Sequence, residues 1–406
     1  MIKRTLPSPA AGRPARILAG LAISAALVLT LGAAAAPGAG ARAVAGTVTS
    51  FRFDLTAVSV LSSSDAWAVG DSADSLTSAD LLHWNGTNWA PVNVPGLPAG
   101  VDLSAVDALS PSNVWAAGAD SGGTLILHWN GATWTLVPSP NPSGTNLHPG
   151  LSHLSMDSAT DGWAVGSVYD SKTGTTTGLA LHWNGTSWQQ VTTSPAFYFS
   201  GVASFSPTNA TAVGSDQTGQ DTFTPASFHW NGTSWAVAAD LPAPHGVAAS
   251  QLTGPGSLSA PSAANMWALG GYFTTTGALK SLAWHWNGTS WTVMSMSLTT
   301  PIGSGLTGVT VVGPANVWAV GYTNTTGGNG NDQAPISVHW NGTSWTQVTT
   351  PDPIGPNSGS TVLTGVAAAG PGNVWAVGHF AHNEPGGLGI SHTLILRWNG
   401  TRWIRA

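Results

Sequence analysis

Seven times along this chain an apolar segment ends in glycine and is followed, within three residues, by a side chain able to bind something: Asp71, Asp120, Tyr169, Asp216, Tyr272, Tyr322 and His379. Three of the four tyrosines in the sequence fall in this set. Gathered around an axis, carboxylates and aromatic rings would hold a sugar, through its hydroxyls and its apolar faces, or a cation. The plainer alternative is that loops begin with polar residues and that tyrosine caps strand ends. A second column invites a metal reading: His83, His128, His182, His229, His285 and His339 each precede a tryptophan, and Arg397 takes the seventh place. Arginine stays protonated and is no ligand. A hydrogen-bond donor packed between structural units accounts for both residue types, and neither a metal nor a cofactor is expected.

Hydrolytic chemistry has little to draw on. With no cysteine there is no thiolate nucleophile, disulfide or Cys-ligated metal. Glycoside hydrolysis needs a paired acid and base, yet the sole glutamate, Glu384, has only Asp332 and Asp352 for company, in other loops. No G-x-S-x-G, H-E-x-x-H or P-loop motif occurs. The leading expectation is a non-catalytic module that binds a glycan, a cell-envelope polymer or a protein partner. A carboxylate-based glycoside hydrolase and a passive structural surface protein are the alternatives.

The elements carrying these positions repeat. Trp-Asn-Gly begins at Trp84, Trp129, Trp183, Trp230, Trp286, Trp340 and Trp398, and a second tryptophan follows five residues on, at Trp89, Trp134, Trp188, Trp235, Trp291, Trp345 and Trp403. Upstream of each pair lies a W-A-V-G-like segment headed by Trp67, Trp115, Trp163, Trp267, Trp318 or Trp375, with Thr211 in the fourth copy. Each unit reads as four short strands: an apolar run, a Pro/Asn turn, the W-A-V-G strand, an L-x-L-H-W strand, and a last strand entered through Asn-Gly. That dipeptide is expected to supply the two positive-φ residues of a tight hairpin. Four strands in roughly fifty residues mark a propeller blade. The fold class is therefore all-β, a seven-bladed β-propeller with four antiparallel strands per blade. Its repeats fall near 51–97, 98–145, 146–195, 196–245, 246–300, 301–355 and 356–406. A buried indole hides roughly 150–250 Å², about 4–6 kcal/mol gross at about 25 cal/mol/Å², so the tryptophan columns read as cement between blades.

The V-W-A-V-G strand with its later tryptophan resembles the kelch repeat of galactose-oxidase-type propellers, whose double glycine is matched at Gly270-Gly271. The run from Asp161 to Gly166, with its following N-G-T-S-W, is similar to the Asp-box (BNR) repeats of sialidase-like and photosystem II assembly propellers. Either resemblance covers Phe51 to Ala406 and implies the fold, not an activity. A galactose-oxidase copper centre would require a Cys-crosslinked tyrosine, and a sialidase an arginine triad drawn from separate blades. The chain has no cysteine, and after residue 46 its arginines are Arg52, Arg397, Arg402 and Arg405.

Loop lengths divide the two faces of such a disc. The first turn and the Asn-Gly turn of each repeat keep constant length, so the variation falls in the connections between second and third strands and between blades. Those connections share the opposite face, which is the expected binding face, notably at 323–335 and 381–391. At the N-terminus Lys3, Arg4, Arg13 and Arg16 precede an apolar stretch from about 17 to 36 and A-x-A options at 41–43 and 43–45, the pattern of a secretory signal peptide. Residues 1–45 are expected to be cleaved, an uncleaved anchor being the alternative. The rest, 46–406, is then one secreted or cell-surface domain with no membrane span. It holds six basic against seventeen acidic residues, a net charge of −11 that offers no basic stripe to nucleic acid. A monomer is expected, its last repeat supplying its own fourth strand and an N-terminal segment near 48–53 clasping that edge.

Overall fold

The structure is a computed structural model that describes residues 51–72, 80–98, 100–219, 222–296, 298, 303–325, 332–384 and 387–406. The expected export segment, 1–45, lies outside these. Seven four-stranded antiparallel units succeed one another, as the repeats require. Blade one comprises Phe53–Ser62, Asp65–Ser72, Asp80–Trp84 and Trp89–Pro91. Blade seven comprises Gly359–Gly370, Asn373–Glu384, His392–Trp398 and Trp403–Arg405. First strands line an axial cavity of about 190 Å³ through residues such as Thr56, Ser104, His153, Ser257, Thr307 and Thr364. The first strand is therefore innermost and the short fourth strand outermost. The protein is a seven-bladed β-propeller.

A bulge recurs in the innermost strand, between Leu55 and Ala57, Leu103 and Ala105, Leu306 and Gly308, and Leu363 and Gly365. The residue it throws out is Ser or Thr, and its hydroxyl ties blade to blade. Thr307 Oγ1 lies 3.2 Å from Val320 O in its own blade and 2.6 Å from Leu363 O in the next. Thr56 does the same toward Val69 O and Leu103 O, and Ser200 toward Val213 O and Pro255 O. The glycine ending each W-A-V-G strand lies against this bulge. A Cβ on Gly321 would stand 2.0 Å from Gly305 O, and one on Gly378 2.0 Å from Val362 O, so only glycine lets the strands meet.

Tryptophan fills the space between blades. Trp67 of blade one lies 5.2 Å from both Trp129 and Trp134 of blade two, the latter edge-on at 82°. The same triad recurs from Trp115, Trp163, Trp267 and Trp318 to the pair in the following blade. Where blade four has Thr211 in place of tryptophan, the fully buried Trp284 of blade five fills the interface and donates its indole N–H to Pro242 O at 2.8 Å. The one tryptophan outside the three columns thus replaces the missing one.

The ring closes by the same contacts. Trp375 of blade seven meets Trp84 and Trp89 of blade one, and Thr364 Oγ1 donates to Leu55 O at 2.5 Å. No strand is exchanged between blades one and seven among the described residues. Instead Thr393 N donates to Phe51 O, and Ala406 N to Ile395 O, both at 3.0 Å. The segment entering blade one thus continues along the third strand of blade seven just past where the C-terminus stops.

Two local expectations need correction. The Asn-Gly turn does not hold two positive-φ residues: Gly86, Gly185 and their counterparts sit at φ 92–97°, but the asparagines do not. Four residues separate the paired Trp84 and Trp89. Asn85 Oδ1 accepts from the backbone N–H of Thr87 and Asn88, closing an Asx turn. The histidine column, in turn, works within blades rather than between them. His83 Nε2 is 3.0 Å from Asp65 Oδ1 and its ring stacks on Trp67 at 4.2 Å, an arrangement repeated by His128 with Asn113 and Trp115. Arg397 holds the seventh place by lying over Trp375, its guanidinium carbon 5.2 Å from the ring centroid.

Candidate functional site

The first turns and Asn-Gly turns meet on one face, where Trp84 Nε1 donates to Ser63 O and Trp183 Nε1 to Ala159 O. The hairpins between second and third strands, together with the blade-to-blade connections, occupy the other face. All seven residues of the expected ring lie at that second face, but they do not form one ring. Asp71, Tyr322 and His379 stand one residue past the strand glycine and Tyr169 three, whereas Asp120, Asp216 and Tyr272 stand two past it. Strand alternation sends the two groups to opposite sides of their blades.

Each residue then has its own environment. Asp120 Oδ1 accepts from Gly122 N at 2.6 Å and caps a turn. Tyr272 is half-buried against the cluster that contains Trp284. Tyr322 lies across Gly305, where a Cβ would come within 2.8 Å of its ring. His379 Nδ1 is buried without a hydrogen-bond partner. Asp216 is half-buried between its strand partners Phe197 and Thr224. Only Tyr169 keeps a largely exposed ring, 45% accessible and 6.2 Å from His148.

Asp71 has a partner that the sequence reading missed. It pairs with Asp102 of blade two, the single bridge joining the sheets of these blades among the described residues. Desolvation, the hydrogen bond its protonated form donates to Asp71 and the charge of Asp71 raise the Asp102 carboxyl to about 6. Two carboxyls in direct hydrogen bond leave no room for the water or sugar that must stand between a glycosidase pair. Glu384, Asp332 and Asp352 do not assemble either. Among the described residues no three His, Cys, Asp or Glu side chains come together.

Aromatic side chains missed by the sequence reading are the more telling feature. Phe223 at the start of the third strand of blade four is 44% exposed, and Phe273 at the end of the second strand of blade five is 48% exposed. Tyr169 and Phe273 both stand three residues past the strand glycine, and Phe223 is paired across from Gln217, which holds that place in blade four. Tyr198 stands edge-on to Phe223 at 5.1 Å and its hydroxyl donates to Gln217 Oε1. Blades three, four and five thus each expose one aromatic ring at equivalent places on the loop face. The available signal was the shared offset of Tyr169 and Phe273 from glycine; Phe223, on the facing strand, gave none.

No family model matches the chain, and no curated protein matches it. Solved structures do. An ulvan lyase, from a new family of polysaccharide lyase and bound to -[GlcA(1-4)Rha3S]-, is 10% identical with a TM-score of 0.54, over 88% of this chain and 97% of the other. A puromycin-hydrolysing peptidase of Mycobacterium tuberculosis is 9% identical with a TM-score of 0.55, over 87% of this chain and 52% of the peptidase. A xyloglucanase of Xanthomonas campestris is 13% identical with a TM-score of 0.50, over 86% and 55%. What they share with this chain is the fold. Those proteins span lyase, peptidase and glycosidase, so the likeness extends to no activity. Among the described residues no helix is long and apolar enough to cross a membrane.

Proposed function

We propose that this chain is an exported, non-catalytic binding module with kelch-like or Asp-box-like repeats, and that its loop face takes a glycan or cell-envelope polymer. The observation that carries this reading is the arc of Tyr169, Phe223 and Phe273, each 44–48% exposed, in three consecutive blades. Large aromatic rings left in water lose the stabilisation that burial would give. One ring per blade beside polar groups such as Gln217 suits a polymer of repeating units better than it suits one compact apolar partner. The test is binding of the purified chain to a panel of polysaccharides and cell-envelope fractions, alone and as Tyr169→Ala/Phe223→Ala/Phe273→Ala. Ring contacts of about 0.5–1.5 kcal/mol each imply a loss of roughly tenfold or more in the triple variant. Saturable binding unchanged by that variant would move the site elsewhere, and no glycan binding at all would favour a protein partner. Export predicts a secreted chain that begins at Val44 or Gly46, as read by mass spectrometry of its N-terminus.

A further inference from the structure

A buried carboxylate at the loop face is incompletely satisfied. Asp332 immediately precedes the third strand of blade six and is 3% exposed. Asn383 Nδ2 donates to its Oδ1 at 2.6 Å, whereas its Oδ2 is buried with no hydrogen-bond partner. A carboxylate oxygen withdrawn from water without a donor is costly, and it is normally found paired or ligating a metal. No lysine or arginine pairs with Asp332 among the described residues.

The surroundings are fixed. The backbone carbonyl of Asp332 accepts from Thr325 N at 3.0 Å, and Asn383 N donates to Ser358 O at 2.9 Å. Beside them Gln333 and Ser360 form the only bridge pair between the sheets of blades six and seven among the described residues, and Ser360 Oγ donates to Gln333 Oε1 at 2.8 Å. Asn383, which covers one carboxylate oxygen, is itself exposed. Oxygen donors dominate here: a carboxylate, side-chain amides, hydroxyls and backbone carbonyls. Such hard oxygen donors match calcium rather than a transition metal.

We propose that the seam between blades six and seven binds a hard divalent cation of the calcium class through the Asp332 carboxylate. The ion supplies the positive charge that Oδ2 lacks and fastens two blades at their loop face. The site is independent of the aromatic arc in blades three to five and is tested with the metal alone.

The experiment titrates calcium, and terbium as its luminescent substitute excited through tryptophan, into the full chain after chelator treatment. Saturable terbium luminescence, competed by calcium, is expected, with a rise in the thermal midpoint of about 2–4 °C at saturating calcium. Asp332→Asn should abolish both responses and leave the metal-free midpoint unchanged or higher, since it removes an unpaired charge. Should that variant fail to fold, Asn383→Ala serves, with an expected loss in calcium affinity of about tenfold. A wild-type chain that shows no saturable response overturns the proposal, as does a response that persists undiminished in a folded Asp332→Asn or Asn383→Ala chain.

Discussion

At the scale of single residues, two perturbed groups set opposing pH slopes. His153 is the one imidazole on the axial cavity, at a place where neighbouring blades put Ala57, Ala105, Gly308 and Gly365. Enclosure by the surrounding blades lowers it from 6.5 to about 4, only partly offset by a backbone hydrogen bond at Ser152. The folded state thus favours the neutral ring. Its contribution is complete above about pH 6.5 and is lost as the pH falls through that value toward 4. Burial lowers His128, His285 and His339 in the same sense. Asp102 works the other way: raised from 3.8 to about 6, it keeps its proton in the fold after the unfolded chain has released it. Its contribution is complete below about 3.8 and is lost as the pH rises toward 6. In urea titrations at pH 4.5 and 7.5, His153→Ser should lessen the loss of stability on the acid side. Asp102→Asn should remove the opposing loss between pH 4 and 6. Equal slopes in wild type and both variants would show that neither group is linked to folding. Neither residue stands out in the sequence: Asp102 acts through Asp71 of another blade, and His153 through its enclosure at the axis.

At the scale of the element, the inner bulge and its glycine are what the repeat conserves from blade to blade. Gly321→Ala would drive a Cβ to 2.0 Å from Gly305 O, against backbone that cannot yield. A loss of about 3 kcal/mol or more is expected in chemical unfolding. Gly313→Ala, where nothing lies within 4 Å, should change stability by no more than about 0.5 kcal/mol. A Gly321→Ala chain as stable as Gly313→Ala would mean that the bulge relaxes. The hydroxyl of Thr307, shared by carbonyls of two blades, predicts a cost of about 1–2 kcal/mol for Thr307→Val and much less for Thr307→Ser. The blade count, strand order, turn positions and tryptophan interfaces were legible, because each rests on residue types recurring at fixed spacing, whereas the geometry of the Asn-Gly turn was not. The seven-residue ring was not. Counting from glycine without holding the offset constant mixed odd and even strand positions, which point to opposite sides of a blade. The aromatic arc emerges only when the second strand is read against its partner, as Gln217 and Phe223 show.

At the scale of the whole molecule, the closure between blades seven and one has the chemistry of the other tryptophan-built junctions. Trp375 docks on Trp84 and Trp89 as Trp318 docks on Trp398 and Trp403. Thr364 bonds Leu55 O as Thr307 bonds Leu363 O. Each blade supplies its own four strands, so stability does not depend on where the backbone is cut, provided the cut falls between blades. Phe51 and Ala406 also meet along one strand, bonded to Thr393 and Ile395, which leaves a gap that a few residues can bridge. A circular permutant that joins Ala406 to Phe51 through a short glycine-serine linker and begins at 98, ahead of blade two, should therefore fold with an unchanged circular dichroism spectrum and a thermal midpoint within a few degrees of the parent. A second permutant cut at 121, inside the hairpin between the second and third strands of blade two, separates the strands of one blade and should unfold at a clearly lower temperature. If the first permutant were the less stable of the two, the native chain ends would be contributing something that the other blade junctions lack, and the likeness of the closing interface to them would fail.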